Sequence, residues 1–249
     1  LTVTFVVGPG LVNHPELLSK IDPTNIKNVR MRVTSFSPEE EARGDEFMRR
    51  IGALKNIEFL NISGADISDK GMSGLAALQK LRWVCLHNTL MTPKSLAPIS
   101  SIKAIENLDI SAINMSSADF SILSSMPNLT QLSLSDCQIA DAQLKSLAGC
   151  KKLNTLILSG NSKITDKSLP YILAIKSLVK LELADTSVSL YIVPKLSGIS
   201  YVGLDEKIFS GMRSNVIKQH YPNVSVYVKS KPFKPPSADE LKLFAPTRY

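Results

Sequence analysis

Apolar residues along this chain fall into a hexad, apolar-x-x-apolar-x-apolar, that returns at a nearly constant interval. It reads Ile57-Leu60-Ile62, Leu81-Val84-Leu86, Ile105-Leu108-Ile110, Leu129-Leu132-Leu134, Leu153-Leu156-Leu158 and Leu178-Leu181-Leu183. First positions advance by 24 residues four times and then by 25. The hexad has strand periodicity and the stretch after it has helical periodicity, with turn residues such as Ser159-Gly160-Asn161 between them. Helix starts are readable in most units. Ser68 or Asp69 precedes Met72, Thr92-Pro93 precedes Leu96, Asp141 precedes Leu144, and Thr165 or Asp166 opens a helix to about Ala174. Short polar side chains there accept from free helix N–H groups, and Pro suits the first helical position. Ser116 with Asp119 reads as a capping box. Units of strand, turn, helix and turn cannot bury their apolar edges alone, so the pattern predicts one stacked solenoid rather than two domains.

The ends leave the period, as caps of a repeat array do. Ile26-Val29-Met31 is an earlier hexad, 31 residues before the next. The extra length holds Ser37-Pro38-Glu39-Glu40, a helix start, and an amphipathic segment to about Ala53. A strand over 1–7 and a short helix near Pro15–Lys20 close the N-terminal edge. Gly8-Pro9-Gly10 lacks the Lys-Ser/Thr of a phosphate loop and reads as a turn. Ile199-Val202-Leu204 is a degenerate last hexad, followed by a long helix over about Glu206–His220 and a strand at Val224, Val226 and Val228. The division is a cap and irregular unit over 1–55, repeats over 56–205, a cap over 206–228 and a Pro-rich basic tail over 229–249.

The hexad and its period resemble the leucine-rich repeat superfamily, firmly over about residues 26–205. Ile164-Thr165-Asp166-Lys167-Ser168-Leu169 and Ile67-Ser68-Asp69-Lys70-Gly71-Met72 are similar to the helix start, Ile-Thr-Asp-x-Gly-Leu, of F-box-associated and many bacterial repeats. Leu147-Ala148-Gly149-Cys150-Lys151-Lys152-Leu153 resembles the joint of the bacterial type. Thr92-Pro93-Lys94 and Ser116-Ser117-Ala118 depart from that start. The resemblance implies an α/β fold, a right-handed horseshoe-shaped solenoid with its parallel sheet on the concave face and helices on the convex face. It implies a scaffold that binds proteins and brings no catalytic residues. It also implies a buried, backbone-bonded role for Cys137, three places after Leu134.

Side chains alternate along a strand, so residues between the hexad leucines face the concavity. The early unit places Asn28, Arg30 and Arg32 there, followed by Phe59, Asn61 and Ser63, then Trp83, Cys85 and His87, then Asn107, Asp109 and Ser111. Later units offer mostly Ser, Thr and Gln: Gln131, Ser133, Ser135, Thr155, Ile157 and Ser159. Lys180, Glu182, Ala184, Tyr201, Gly203 and Asp205 complete the columns. Phe59 and Trp83 become neighbours in one column. An aromatic pair bordered by Arg30, Arg32, Asn61, Cys85, His87, Asn107 and Asp109 has the composition of an interaction hot spot. The alternative is that the pair packs under the N-terminal cap.

Composition then narrows the function classes. A hydrophobic share of 44% and a charged share of 20% are those of a globular chain. No apolar run approaches a membrane span, and Leu1–Val7 lacks the basic flank of a signal peptide. The start at Leu1 is that of a trimmed or processed chain. The net charge of +7 is uneven: residues 1–55 and 56–205 each carry +1, and 206–249 carry +5. A nearly neutral repeat body argues against a polyanion cradle on the sheet. His14, His87 and His220 fall far apart, and three unclustered cysteines form no metal set, so no cofactor or metal is expected. The cysteine usage fits a reducing compartment. Protein or peptide recognition on the sheet, as the sensing part of a larger signalling protein, is the reading these features favour, with no catalytic role. Two others stay open: anionic-ligand or nucleic-acid binding through the basic tail (Lys229, Lys231, Lys234, Lys242), and a purely structural self-association module.

Overall fold

A computed structural model of the chain describes residues 3–31, 38–209 and 212–227. Arg32, Val228 and the basic tail therefore lie outside the described residues. The rest forms one parallel sheet of ten strands in chain order. These are β1 (Val3–Val7), β2 (Ile26–Met31), β3 (Phe59–Asn61), β4 (Trp83–Cys85), β5 (Asn107–Asp109), β6 (Gln131–Ser133), β7 (Thr155–Ile157), β8 (Lys180–Glu182), β9 (Tyr201–Asp205) and β10 (Val224–Tyr227). From β3 to β8 each strand is only three residues long, the polar–apolar–polar centre of the hexad. Every second hexad residue, Leu60, Val84, Leu108, Leu132, Leu156 and Leu181, is buried and in register with its neighbours. The apolar period therefore specifies the strand pairing, and the chain is an α/β solenoid.

The helical side is built differently from the expected run of α-helices. Its α-helices are α1 (Pro9–Asn13), α2 (Pro38–Arg50), α3 (Asp69–Met72), α4 (Leu96–Ser100), α5 (Leu169–Ala174) and α6 (Ser214–His220). Much of the remaining helical structure is 3₁₀, over Ser73–Ala77, Phe120–Ser125 and Asp141–Gly149 among others. Every unit, whether its helical segment is 3₁₀ or α, leaves that segment through apolar residues spaced by three: Leu75-Leu78-Leu81, Ile99-Ile102-Ile105, Leu123-Met126-Leu129, Leu147-Cys150-Leu153 and Ile172-Ile175-Leu178. A 3₁₀ turn superposes residues three apart, so this spacing keeps each trio on the core side while the backbone descends to the next strand. The amides follow it, with Leu78 N–H donating to Leu75 O at 2.8 Å and Leu81 N–H to Leu78 O at 3.0 Å.

Three further expectations change. Gly8-Pro9-Gly10 is a helix start, with Gly8 as N-cap and Pro9 first in α1. Ser116 and Asp119 form no capping box. Asp119 is itself the N-cap, accepting from Ser121 N–H at 2.9 Å, and Ser116 turns back to Asn114. The long helix after the last hexad is a 3₁₀ turn, Glu206–Phe209, and the separate α6.

Polar side chains stitch unit to unit at repeating positions. Ser68, Thr92, Thr165 and Ser189 cap their own helical segments. The aspartate of the preceding unit then binds both the amide and the hydroxyl of the capping residue. Asp69 does so for Thr92 at 2.8 and 2.6 Å, Asp141 for Thr165 at 2.7 and 2.7 Å, and Asp166 for Ser189 at 2.7 and 2.6 Å. The Thr-Asp pair of the sequence thus splits its roles: the hydroxyl caps within a unit and the carboxylate clamps the next. The middle units lack that aspartate, and Gln143 substitutes there by donating to Met115 O and Ala118 O.

At the turn after each strand the backbone passes through the left-handed region at Gly64, Asn88, Ala112, Asp136, Gly160 and Asp185. Asn88, Ala112 and Asp136 each donate to the carbonyl three places past the middle of the next strand, Ser111, Ser135 and Ser159. Beside this turn, Asn161 is fully buried and binds five backbone groups, the longest bond running from its Nδ2 to Ser159 O at 3.4 Å. Its Oδ1 accepts from Cys137 N–H at 3.0 Å and Ile139 N–H at 3.2 Å, and its Nδ2 donates to Leu134 O and Leu158 O at 2.7 and 2.8 Å. Cys137 takes the same place one unit earlier, its buried thiol donating to Ile110 O at 3.2 Å.

Candidate functional site

Two polar columns run across the sheet on the side away from the core. The first is Asn28, Phe59, Trp83, Asn107, Gln131, Thr155, Lys180 and Tyr201, the second Arg30, Asn61, Cys85, Asp109, Ser133, Ile157, Glu182 and Gly203. Strand alternation requires this, because each column residue flanks a buried apolar one.

At the N-terminal end, Phe59 and Trp83 stack with ring centroids 6.4 Å apart and planes 29° from parallel. Both are half-buried. The guanidinium carbon of Arg30 sits 5.3 Å from the Phe59 ring centre, though Arg30 belongs to the other column. Its long side chain leans across the strand and lies along the ring, a favourable cation–π arrangement. Arg30 Nε is buried and has no hydrogen-bond acceptor among the described residues. Arg30, Phe59 and Trp83 thus form one continuous ramp.

The remaining expected site residues form a polar strip beside the ramp. Asn61 Oδ1 accepts from Ser63 N–H at 3.0 Å, and Asp109 Oδ1 accepts from Ser111 N–H at 3.0 Å. Cys85 Sγ donates to Asp109 Oδ2 at 3.4 Å and sits 3.0 Å from Ser63 Oγ. Burial, with the Asp109 charge adding, pushes the Cys85 thiol up to about 12. Such a thiol is protonated at neutral pH and is no nucleophile. Asn107 pairs with Trp83 in the ladder, and His87 follows Cys85 on the same strand face. These residues come together on one face; Arg32 is outside the described region.

The C-terminal end carries a second polar group that sequence reasoning did not single out. Glu182 is 6% exposed and Asp205 is 3% exposed. Lys180 pairs with Glu182 at 3.1 Å and Lys207 with Asp205 at 3.1 Å. Glu182 Oε2 lies where a Cβ on residue 203 would stand, so the carboxylate fits only because that residue is glycine. Tyr201 and Tyr227 hydroxyls meet at 3.0 Å. Burial pushes the Tyr227 phenol upward, with the Tyr201 hydrogen bond and the Glu182 charge adding to it. The strand alternation of Val224 and Val226 was the available clue, since it sends Tyr227 to the open face. Asp205 also closes the turn ladder: its Oδ2 accepts from Asp185 N–H at 2.6 Å, where no further unit supplies a carbonyl.

Among the described residues no group of His, Cys, Asp and Glu could hold a metal ion, and no helix is long and apolar enough to cross a membrane.

Family models for leucine-rich repeats match this chain twice, the two-copy model at residues 127–171 and a single-repeat model at residues 53–76. Those matches, with the registered strands, support a leucine-rich repeat assignment. No curated protein matches it. Among solved structures, an internalin (inlF) from Listeria monocytogenes is similar at 14% identity, covering 79% of this chain and 70% of that one, with a TM-score of 0.45. Leucine-rich repeat domains generally mediate protein–protein interaction.

Proposed function

We propose that this chain is a non-catalytic recognition module that grips a protein or peptide on its sheet face, at the N-terminal end, as part of a larger protein. The observation that carries this reading is the stacked Phe59–Trp83 pair left half-open on the solvent side of the sheet, with Arg30 laid against it. Aromatic and arginine side chains dominate the energetics of protein interfaces. Their setting matters as much as their type. Each is anchored on a strand whose neighbours are registered by buried leucines, so the surface is ordered before a partner arrives and little ordering cost falls on binding. The family's general role agrees with this reading.

The test compares the native chain with the Phe59→Ala/Trp83→Ala double variant. Both are used to capture partners from the source extract, and the partner captured is purified and titrated calorimetrically. Loss of affinity of about 30-fold or more, the cost of a truncated hot spot of roughly 2 kcal/mol, is expected with the circular dichroism spectrum unchanged. Equal affinity of the folded double variant overturns the mapped surface.

A further inference from the structure

We propose that the partner segment seated on this ramp is acidic: an extended peptide presenting a carboxylate to Arg30 and, two residues along, an apolar side chain to Phe59 and Trp83. This rests on the recognition reading above and adds the chemistry of the partner. At the C-terminal end Lys180 is matched by Glu182 and Lys207 by Asp205, each at 3.1 Å. Arg30 has no ion-pair partner among the described residues, and its Nε is buried without an acceptor. The nearer of the two acids on the same column, Asp109, stands three strands away, roughly 14 Å at ordinary strand spacing, and both its oxygens are held within the chain by Ser111 and Cys85.

Stacking on Phe59 orients the guanidinium, and its charge is unmatched among the described residues. A planar cation held this way favours a carboxylate, which it can bind through two parallel N–H bonds. The spacing selects the rest of the motif. Side chains two apart on an extended peptide share a face about 7 Å apart, comparable with the 5.3 Å from the Arg30 guanidinium to the Phe59 ring and the 6.4 Å from that ring to Trp83. An acid, any residue and then an apolar residue therefore span the ramp.

Trp83 is the one tryptophan of the chain, so its emission reports occupancy directly. The probes are three acetylated, amidated dodecapeptides without tryptophan, repeats of Glu-Ser-Leu-Ser, Gln-Ser-Leu-Ser and Lys-Ser-Leu-Ser. The expected result is a saturable change of Trp83 emission with the glutamate peptide, weakened by salt, and about tenfold weaker or absent with the other two. Arg30→Glu, checked for an unchanged circular dichroism spectrum, should lose the glutamate peptide and gain the lysine peptide. Equal response to the glutamine or lysine peptide, indifference to Arg30→Glu, or no response to the glutamate peptide overturns the acidic partner. None of these outcomes touches the recognition reading, which falls only if the Phe59/Trp83 double variant keeps its affinity for the captured partner.

Discussion

Asn161→Ala should be among the most damaging single changes available in the repeat body. The side chain is fully buried and contacts no solvent, so nothing replaces what it gives up. Removing it strands two amides, Cys137 and Ile139, and two carbonyls, Leu134 and Leu158. A buried group left unpaired costs about 1–3 kcal/mol. Taking the low end for each of the four, because the turn can relax, gives roughly 4 kcal/mol. That is a large share of the 5–15 kcal/mol expected for a domain (roughly). Urea unfolding followed by Trp83 emission and by far-UV circular dichroism measures the loss. Agreement of the two probes tests whether the array still unfolds as one unit, since Trp83 sits on β4 and Asn161 follows β7. Asn161→Cys serves as the graded control. Cys137 shows that a thiol can donate at this position, but it cannot bind two amides and two carbonyls at once. About half of the loss should return. A destabilisation by Asn161→Ala below about 1 kcal/mol, or a cysteine variant no better than alanine, would refute the reasoning.

Two further predictions follow from the unit joints. Asp69→Ala removes the bonds to Thr92 and Ser95 that clamp α3 to the next unit, and should cost roughly 2 kcal/mol at neutral pH. Burial raises the Asp69 carboxyl, but the hydrogen bonds from Ser95 and Thr92 and the nearby Lys94 charge outweigh it, leaving it below the ordinary 3.8. A depressed carboxyl stabilises the fold fully above its unfolded value and loses that contribution as pH falls through its folded value. Urea titrations at neutral pH and near pH 3 should show the gap between native and variant closing in acid, and a gap independent of pH counts against the clamp. Ala112→Gly should instead stabilise by about 0.5–1 kcal/mol, because Ala112 holds a left-handed φ of 57° that glycine adopts without strain. Thermal unfolding with a lowered midpoint would contradict it.

How much of this was legible in the sequence depends on whether a position is set by the period. The hexad leucines specify strand register, so both face columns could be written down before any coordinates, and Phe59 and Trp83 fell beside each other as that register demands. Glycine, asparagine and aspartate marked five of the six left-handed turns, whereas Ala112 gave no such mark. The helix type was not legible: the same apolar spacing of three occurs in units with 3₁₀ turns and in those with α4 and α5, and helical periodicity alone does not separate the two. The double role of the Thr-Asp pair was hidden because its carboxylate acts across a unit boundary, 23 or 24 residues away in sequence.

The face residues are illegible for a different reason, and it bears on where function resides. Asp69, Asn161 and the left-handed turns recur because each unit must be stacked on the next, so their chemistry is dictated by the repeat. The columns between the leucines carry no such obligation: Ser, Thr and Gln suffice there, as β6 and the start of β7 demonstrate. Departures from that bland background therefore need a cause beyond folding. At β8 and β9 part of the cause is local, since Lys180 pairs with Glu182 and the carboxylate is seated over Gly203, although Glu182 Oε2 is itself buried without a hydrogen-bond partner among the described residues. At β2 to β4 the described residues give Arg30 no ion-pair partner, and the aromatic stack beside it is partly open. Leaving a Phe–Trp stack partly open forgoes apolar burial worth about 25 cal/mol per Å², which the proposed partner would recover.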